Sequence, residues 1–259
     1  MWDPTVYRRF GSERSRPFFD LTARIGARAP RAVTDLGCGS GELTLTLAER
    51  WPRARLSGVD SSPEMIAKAV AHGGPATFTL GDIRDWRPEP DVDVLVTSAT
   101  LQWVPEHREL LARWVRDLVP GAWLAVHVPG SFGAPSHVRL RELARRYGIG
   151  DVTREAPVDD AVGYAALLLR AGATVDAWES TYIHLLPQAD DHSDHPVLRW
   201  MEGTALRPVK AALDENAWLD FRADLARELA AAYPAGDGHV VFPFRRIFVV
   251  ARTAGFHTP

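Results

Sequence analysis

At 259 residues the chain is long enough to bury a full hydrophobic core, and we interpret it as a single α/β domain. Its formal net charge of −3 gives no reason to expect a nucleic-acid partner or binding to an anionic membrane. The single cysteine, Cys38, excludes an internal disulfide, and the absence of a secretion signal or a long apolar run favours a cytoplasmic protein without a membrane span.

The N-terminal segment, residues 1–30, is rich in aromatic residues and arginines. Trp2, Tyr7 and Phe10 are followed by Arg14 and Arg16. A guanidinium can bind a carboxylate through two hydrogen bonds, so this composition suits a lid that closes over a bound anion. A packing helix with solvated arginines is the alternative interpretation.

Residues 32–50 predict a strand, a glycine turn and a helix. The stretch 32–36 is apolar and β-branched, and leucines recur at helical spacing after the turn. The turn contains Gly37, Gly39 and Gly41, with Cys38 in a packing role between them. Glycines lack the Cβ atoms that would hold a ligand away from the main chain, and the helix start presents free N–H groups. The segment therefore predicts a site for a nucleotide-like ligand.

The glycine spacing indicates which nucleotide. A dinucleotide fingerprint requires Gly or Ala where this chain has Glu42, which weakens the NAD interpretation. Asp35 ends the first strand, where its carboxylate can face a cationic part of the ligand. Asp60 follows Gly41 by about twenty residues, which is the expected position of a ribose-binding acid. The run 35–41 resembles the signature of class I S-adenosylmethionine-dependent methyltransferases.

Later strand ends add further predicted cofactor contacts. We predict strands at 54–59, 77–80 and 92–98, and a helix that begins at Ser62. In the class I pattern, Asp82 accepts a hydrogen bond from the adenine amino group while Ile83 covers the ring; Met65 either contacts adenine or fills the core. The complete set of predicted cofactor residues is Asp35, Gly37, Cys38, Gly39, Gly41, Asp60, Ser61, Met65, Asp82, Ile83, Ala99 and Leu101.

The loop 99–105 crosses the carboxyl end of the fourth strand, so Gln102 and Trp103 are candidate walls of the ligand site. Beyond it the pattern predicts helices at 105–118, 138–147, 160–171 and 218–233, strands at 123–128, 175–185 and 240–251, and a helix around Trp200 that runs to 203–208. Because proline cannot donate to a ladder, Pro243 predicts an edge, a bulge or a strand that begins at Phe244.

These elements predict a Rossmann-like, doubly wound α/β sheet with a helical cap from insertions after strands five and six. The predicted segments are a lid at 1–30, a cofactor-binding core at 31–129, cap segments at 130–172 and 187–236, and closing strands at 174–186 and 239–252.

A cluster of acids and histidines lies between the sixth strand and the next helix. It comprises Asp190, Asp191, His192, Asp194 and His195. No second cluster has a recognisable ligand spacing, so we interpret this stretch as a polar loop and predict no metal site.

Over nearly its whole length the chain resembles the trans-aconitate 2-methyltransferases. The nucleotide motifs are shared by all class I methyltransferases, whereas Trp2-Asp3-Pro4 at the start and Phe242-Pro243-Phe244-Arg245-Arg246 at the end are specific to the narrower group. The other matching segments are Tyr7, Phe10, residues 13–17, residues 35–39, residues 60–65, residues 101–105, Pro135-Ser136-His137, Trp178, Thr181-Tyr182, His184 and residues 203–206.

The resemblance implies that S-adenosylmethionine donates a methyl group to a carboxylate of trans-aconitate or a similar small polyacid, leaving a monomethyl ester and S-adenosylhomocysteine. A carboxylate is already ionised at pH 7, so no catalytic base is required. The other carboxylates of the acid need cations and hydrogen-bond donors. The predicted substrate residues are Tyr7, Arg14, Gln102, Trp103, Tyr182, His184, Arg207 and Arg246.

Two other functions fit the same motifs. One is a methyltransferase acting on a hydroxyl or amine, which would need a base such as His184 or His137. The other is a non-catalytic S-adenosylmethionine-binding module. For partners we expect a small polycarboxylate, no nucleic acid and no membrane, with the chain a monomer or a weak homodimer.

Overall fold

The computed structural model describes residues 13–153, 156–188 and 194–255. The helices in these ranges are α1 (Arg16–Ala23), α2 (Glu42–Arg50), α3 (Pro63–Ala71), α4 (His107–Asp117), α5 (Pro135–Arg146), α6 (Ala161–Arg170), α7 (Pro196–Glu202), α8 (Arg207–Ala212) and α9 (Glu215–Ala232). The strands are β1 (Ala32–Leu36), β2 (Arg55–Asp60), β3 (Ala76–Leu80), β4 (Val92–Ser98), β5 (Trp123–Pro129), β6 (Ala173–Pro187), β7 (Ala235–Gly236) and β8 (His239–Thr253). Short 3-10 turns occur at Leu101–Trp103 and Gly150–Val152.

The strands form one sheet in the order β3-β2-β1-β4-β5-β8-β6, with β7 paired to β8. Strands β1 to β5 are mutually parallel wherever they pair. The chain order reverses between β1 and β4, because β2 and β3 lie on one side of β1 and β4 and β5 on the other. In doubly wound sheets ligands bind beyond the carboxyl ends of the strands at such a switch point. A ligand is therefore expected at the ends of β1, β2 and β4.

Side-chain caps fix the starts of several helices. The hydroxyl of Ser62 accepts a hydrogen bond from the amide of Met65 at the start of α3, as predicted. Asp160 caps α6 in the same way through the amide of Gly163 at 2.7 Å. Such caps satisfy N–H groups that have no partner within the helix, and each contributes about 1 kcal/mol.

The predicted strand at 240–251 is confirmed as β8, and Pro243 lies inside it. Of the alternatives that Pro243 suggested, a strand that begins at Phe244 is wrong, and so is an edge strand, because β8 lies between β5 and β6. The amide of Gly130, just past the end of β5, donates to the carbonyl of Arg245 at 2.9 Å. Residues two apart in a strand point their backbone groups to the same neighbour, so the nitrogen of Pro243 faces the side where β5 has already ended. β8 is internal to the sheet, but Pro243 lies past the end of β5, so no ladder hydrogen bond to β5 is lost there.

The described residues divide into two compact units. The first contains 13–128, 159–179 and 247–255, and the second contains 129–153, 156–158, 180–188 and 194–246. Strands β6 and β8 contribute a segment to each unit. The helix α6, placed by sequence in the cap segment 130–172, belongs to the first unit because it packs against α4.

The second unit has its own hydrophobic core. Its centre is the buried face of α9, formed by Phe221, Leu225 and Leu229, which packs with residues of α5, α7 and β8. The insertions after β5 and β6 therefore supply a self-packed helical layer, as the fold prediction required. Within the described ranges, no helix combines the length and apolar character needed to cross a membrane.

Candidate active site

The glycine turn joins β1 to α2 in a conformation that favours glycine. Gly37, Gly39 and Gly41 have φ values of +76°, +56° and +79°. The amides of Gly37 and Cys38 donate to the carbonyl of Val59 at 2.7 and 3.1 Å, which ties the turn to the end of β2. Gly41 is the N-cap of α2, so the unpaired N–H groups of that helix begin directly after the turn.

The three glycines differ in what surrounds them. A Cβ atom on Gly37 would lie 2.1 Å from the Thr100 hydroxyl oxygen, and one on Gly41 would lie 2.6 Å from the Phe78 ring. A Cβ atom on Gly39 would meet no atom of the described residues within 4 Å. Gly37 and Gly41 are therefore required by packing within the protein, whereas Gly39 leaves room for a ligand to approach the main chain.

Asp60 connects the turn to the next helix. Its Oδ2 accepts from the Gly39 amide at 2.9 Å, and its Oδ1 accepts from the Ser62 amide at 2.9 Å. A carboxylate offers about four lone-pair sites, so about two remain for other donors such as ribose hydroxyls. The exposed Ser61 lies between these two anchor points.

Asp35 is a buried carboxylate at the end of β1. It is 3% exposed, and its Oδ2 accepts a hydrogen bond from the Thr44 hydroxyl at 2.6 Å. Burial, together with the charge of Asp60, raises the pKa of Asp35 to about 6, although the Thr44 bond opposes both effects. Among the described residues Asp35 has no salt-bridge partner. A ligand that brings positive charge would compensate this carboxylate, and S-adenosylmethionine carries such charge.

The Cys38 thiol has a packing position. Its Sγ would lie 2.8 Å from a Cβ atom on Gly58, and burial, aided by Asp35 and Asp60, raises the pKa of this thiol. A thiol that stays protonated is a poor nucleophile. Cys38 therefore fills space behind the turn, consistent with its sequence interpretation.

The carboxylate of Asp82 follows β3 and is held by a neighbouring arginine. Its oxygens accept from the Arg84 amide at 2.8 Å and from the Arg84 guanidinium at 2.5 to 3.0 Å. These bonds lower the pKa of Asp82. Ile83 is buried, and Met65 is partly buried in the first turn of α3. Contact of Asp82, Ile83 and Met65 with adenine stays a prediction.

The loop after β4 contains a strained residue. Ala99 has φ of +55°, a conformation that costs a non-glycine residue about 1 kcal/mol. Its carbonyl accepts from the Gln102 side chain at 2.6 Å, while the Gln102 Oε1 is buried without a hydrogen-bond partner among the described residues. Leu101 is fully buried, whereas Trp103 is 51% exposed. Strain and an unsatisfied acceptor at a strand end are typical of a ligand site.

Three of the predicted substrate residues lie in the second unit with buried side chains: Tyr182 and His184 on β6, and Arg246 on β8. The His184 ring lies 4.6 Å from the Trp200 ring and 6.2 Å from the Phe244 ring, and the Arg246 guanidinium lies 4.2 Å above Phe244. His184 and Arg246 thus share an aromatic neighbour. Tyr182 is on the same face of β6 as His184, because side chains two apart in a strand project together.

The other predicted substrate residues are dispersed. Arg207 is exposed at the first position of α8, and Arg14 is exposed just before α1. Gln102 and Trp103 belong to the first unit, and Tyr7 lies outside the described residues. The role of this set in substrate binding stays a prediction.

The acid and histidine cluster has structural partners where it is described. Asp194 forms an ion pair with Arg222, and the Nε2 of His195 bonds the carbonyl of Tyr233 at 3.0 Å. Asp190, Asp191 and His192 lie outside the described residues. Across the described ranges, no cluster of residues fits a metal ion.

Sequence reasoning missed two threonines that shape the turn. Thr44 bonds Asp35, and Thr100 packs against Gly37. A hydroxyl in the first turn of a helix that follows a strand-end acid is a signal that could have identified Thr44. Thr100 is more than sixty residues from Gly37, and nothing local in the sequence indicates their contact.

Comparisons with known proteins are consistent with this geometry. Residues 33–121 match a family model described as a methyltransferase domain. A protein named trans-aconitate 2-methyltransferase from Mycobacterium sp. (strain KMS) is 53% identical, over 98% of this chain and all of that protein. The YcgJ protein from Bacillus subtilis is 14% identical with a TM-score of 0.61, over 94% of this chain and 99% of that one.

Another solved structure is Haemonchus contortus phosphoethanolamine N-methyltransferase 2 in complex with S-adenosyl-L-methionine. It is 15% identical with a TM-score of 0.56, covering 96% of this chain and 56% of that one. At such identities a solved structure supports the fold alone. The predicted class I methyltransferase sheet is confirmed.

Proposed function

This chain belongs to the trans-aconitate 2-methyltransferase family, and on that premise we propose that it transfers the methyl group of S-adenosylmethionine to a carboxylate oxygen of trans-aconitate. The observation that carries the cofactor part of this proposal is the arrangement around Gly39. The buried carboxylate of Asp35 lies in a strand that ends at a turn whose middle glycine leaves room for a ligand. A cationic nucleoside fits both features.

The protein's part in the reaction is positioning. When bound, S-adenosylmethionine supplies an electrophilic methyl group on a positively charged sulfur. The carboxylate of a substrate acid has a pKa of roughly 4, so at pH 7 it attacks without a base. The glycine turn and Asp60 are the residues we expect to hold the nucleoside, and Asp35 to compensate its charge. Alignment of two reactants can lower a barrier by about 7–11 kcal/mol.

We propose that cationic and hydrogen-bonding side chains bind the carboxylates of the substrate acid. Arg246 and His184 are buried donors near Phe244, where a carboxylate would interact strongly because water is scarce. Arg207, exposed at the start of α8, is available to a further carboxylate. The amide of Gln102 and the ring of Trp103 are proposed as walls on the first unit.

Arg207→Ala is expected to raise the KM for trans-aconitate about tenfold or more and to leave the Kd for S-adenosylhomocysteine unchanged. The reason is that a charge-assisted hydrogen bond to a carboxylate contributes about 1.5–3 kcal/mol. Steady-state kinetics and calorimetry measure the two quantities. The matched control is Arg227→Ala, which removes an arginine of the same unit that is exposed and paired with Asp224. If Arg207→Ala has the same kinetic constants as the parent, Arg207 does not bind the substrate.

The proposed reaction is tested by following labelled methyl groups from S-adenosylmethionine onto a panel of small polycarboxylates. We expect a product from trans-aconitate that releases its label in mild alkali, as a methyl ester does. A base-stable product with a bell-shaped pH profile would instead support a hydroxyl or amine acceptor and a histidine base. Cofactor binding without transfer to any acceptor would support a binding module.

A further inference from the structure

A buried histidine lies behind the strained loop of the first unit. His127 is on β5 and is 2% exposed. Its Nδ1 lies 2.9 Å from the hydroxyl oxygen of Ser98, the last residue of β4, and its carbonyl accepts from the amide of Ala99 at 2.9 Å. We call this pair of contacts the His127–Ser98 clamp. It holds the two residues that connect β4 to the loop.

The clamp connects to the glycine turn through the next residue. The Thr100 hydroxyl is within 3.3 Å of the Ser98 carbonyl and 3.4 Å of the Gly37 carbonyl, and its side chain fills the space that a Cβ atom on Gly37 would need. On the other side, the Gln102 side chain donates to the Ala99 carbonyl. A change in the position of His127 is therefore expected to shift both the glycine turn and Gln102, the proposed wall residue.

The ring of His127 is itself held in place. It stacks on Phe248 with ring centroids 5.0 Å apart, and Phe248 stacks on Trp178 at 4.9 Å with the rings almost parallel. Phe248 and Trp178 belong to β8 and β6, so the imidazole packs on β8 and the stack of rings continues onto β6. A ring fixed by stacking can present its Nδ1 to Ser98 in one orientation.

We propose that His127 is a positioning residue for methyl transfer. Through Ser98 and Ala99 it fixes the loop 98–103 relative to the glycine turn, and this inference rests on the proposed function. A backbone conformation as unfavourable as that of Ala99 persists only where its surroundings determine it. The bond of the His127 side chain to Ser98 contributes to this, beside the main-chain bond between Ala99 and His127 and the side-chain bonds of Thr100 and Gln102. Displacement of a positioning element by about 1 Å can slow a reaction about 100-fold.

Two substitutions separate the hydrogen bond from the stacking. His127→Phe keeps a flat ring on Phe248 but cannot bond Ser98, whereas His127→Asn places a polar atom where Nδ1 was and removes the ring. We expect His127→Phe to lower kcat about tenfold or more with little change in KM, and His127→Asn to retain at least about a third of the parent kcat. Ser98→Ala should reproduce the loss, and the double variant Ser98→Ala/His127→Phe should add little to it.

A second readout is independent of turnover. Amide hydrogen exchange of the ligand-free protein should accelerate in peptides covering 98–103 in His127→Phe and Ser98→Ala, but less so in His127→Asn. The reverse pattern, with His127→Phe active and protected and His127→Asn impaired, would reduce His127 to a packing role and overturn the proposal. Absence of methyl transfer by the parent would refute the proposed function instead, while the exchange data would still decide on the clamp.

Discussion

Replacing Gly39 with alanine is expected to weaken S-adenosylhomocysteine binding at least ~10-fold while lowering the free energy of unfolding by only about 1 kcal/mol. The small cost reflects the left-handed conformation at φ +56°, since a Cβ atom would meet no atom of the described residues within 4 Å. The large effect on binding follows if this open space is where the nucleoside approaches the main chain. Calorimetric titration and thermal unfolding measure the two effects.

Two further glycines provide the controls. Gly73→Ala has the same kind of strain, with φ of +64° and no described atom within 4 Å, but it lies in the turn after α3 and should bind ligand as the parent does. Gly37→Ala should lose roughly 3 kcal/mol or more of stability, because its Cβ atom would overlap the branched side chain of Thr100. Unchanged affinity in Gly39→Ala would show that the nucleoside does not lie against this turn.

Asp35→Asn is expected to stabilise the protein at pH 8 and to weaken cofactor binding. Burial raises the pKa of Asp35 from 3.8 to about 6. A raised pKa means that the stability contributed by the protonated acid is fully present below pH 3.8 and is lost as the pH rises through about 6. A shift of this size corresponds to roughly 3 kcal/mol, which the neutral amide should largely recover.

The gain from Asp35→Asn should therefore be near zero at pH 4, grow through the window up to about pH 6 and level off above it. Denaturant unfolding at a series of pH values measures this profile. Affinity for S-adenosylhomocysteine should fall roughly tenfold to a hundredfold, because a buried charge-assisted contact is lost. Thr44→Val is the control that removes the hydrogen-bond partner and keeps the charge. If the Asp35→Asn variant were less stable than the parent at pH 8, the assigned cost of the buried carboxylate would be contradicted.

The cofactor half of the fold was predictable because its signals are local. Apolar runs that end in Asp35 or Asp60, and the alternate glycines between them, specify strand ends and a turn without reference to distant residues. Parallel strands bring such ends to one edge of the sheet, which is where we predict the cofactor contacts. The sequence did not indicate which residues contact these glycines and acids. Thr100 packs on Gly37 only because the tertiary structure brings them together, and the bond from Arg84 to Asp82 depends on the orientation of two neighbouring side chains.

The second unit was harder to predict. One predicted helix running to 203–208 is two, because α7 ends at Glu202 and α8 begins at Arg207 with Pro208 in its first turn. Proline is well suited to start a helix and poorly suited to continue one. The strand at 240–251 was predicted, but its tolerance of Pro243 was not, because that depends on where the neighbouring β5 ends. The substrate residues carry no repeating pattern, so their grouping rests on the family resemblance and stays a prediction.

The central claim is that the glycine turn and its two acids bind a positively charged nucleoside. Calorimetric titration of the full-length chain with S-adenosylmethionine, and separately with S-adenosylhomocysteine, tests it most directly. We predict saturable binding of both with one site per chain, abolished or strongly weakened in Gly39→Ala and intact in Gly73→Ala. Heats no larger than dilution for both nucleosides, in a protein that melts cooperatively, would contradict the account.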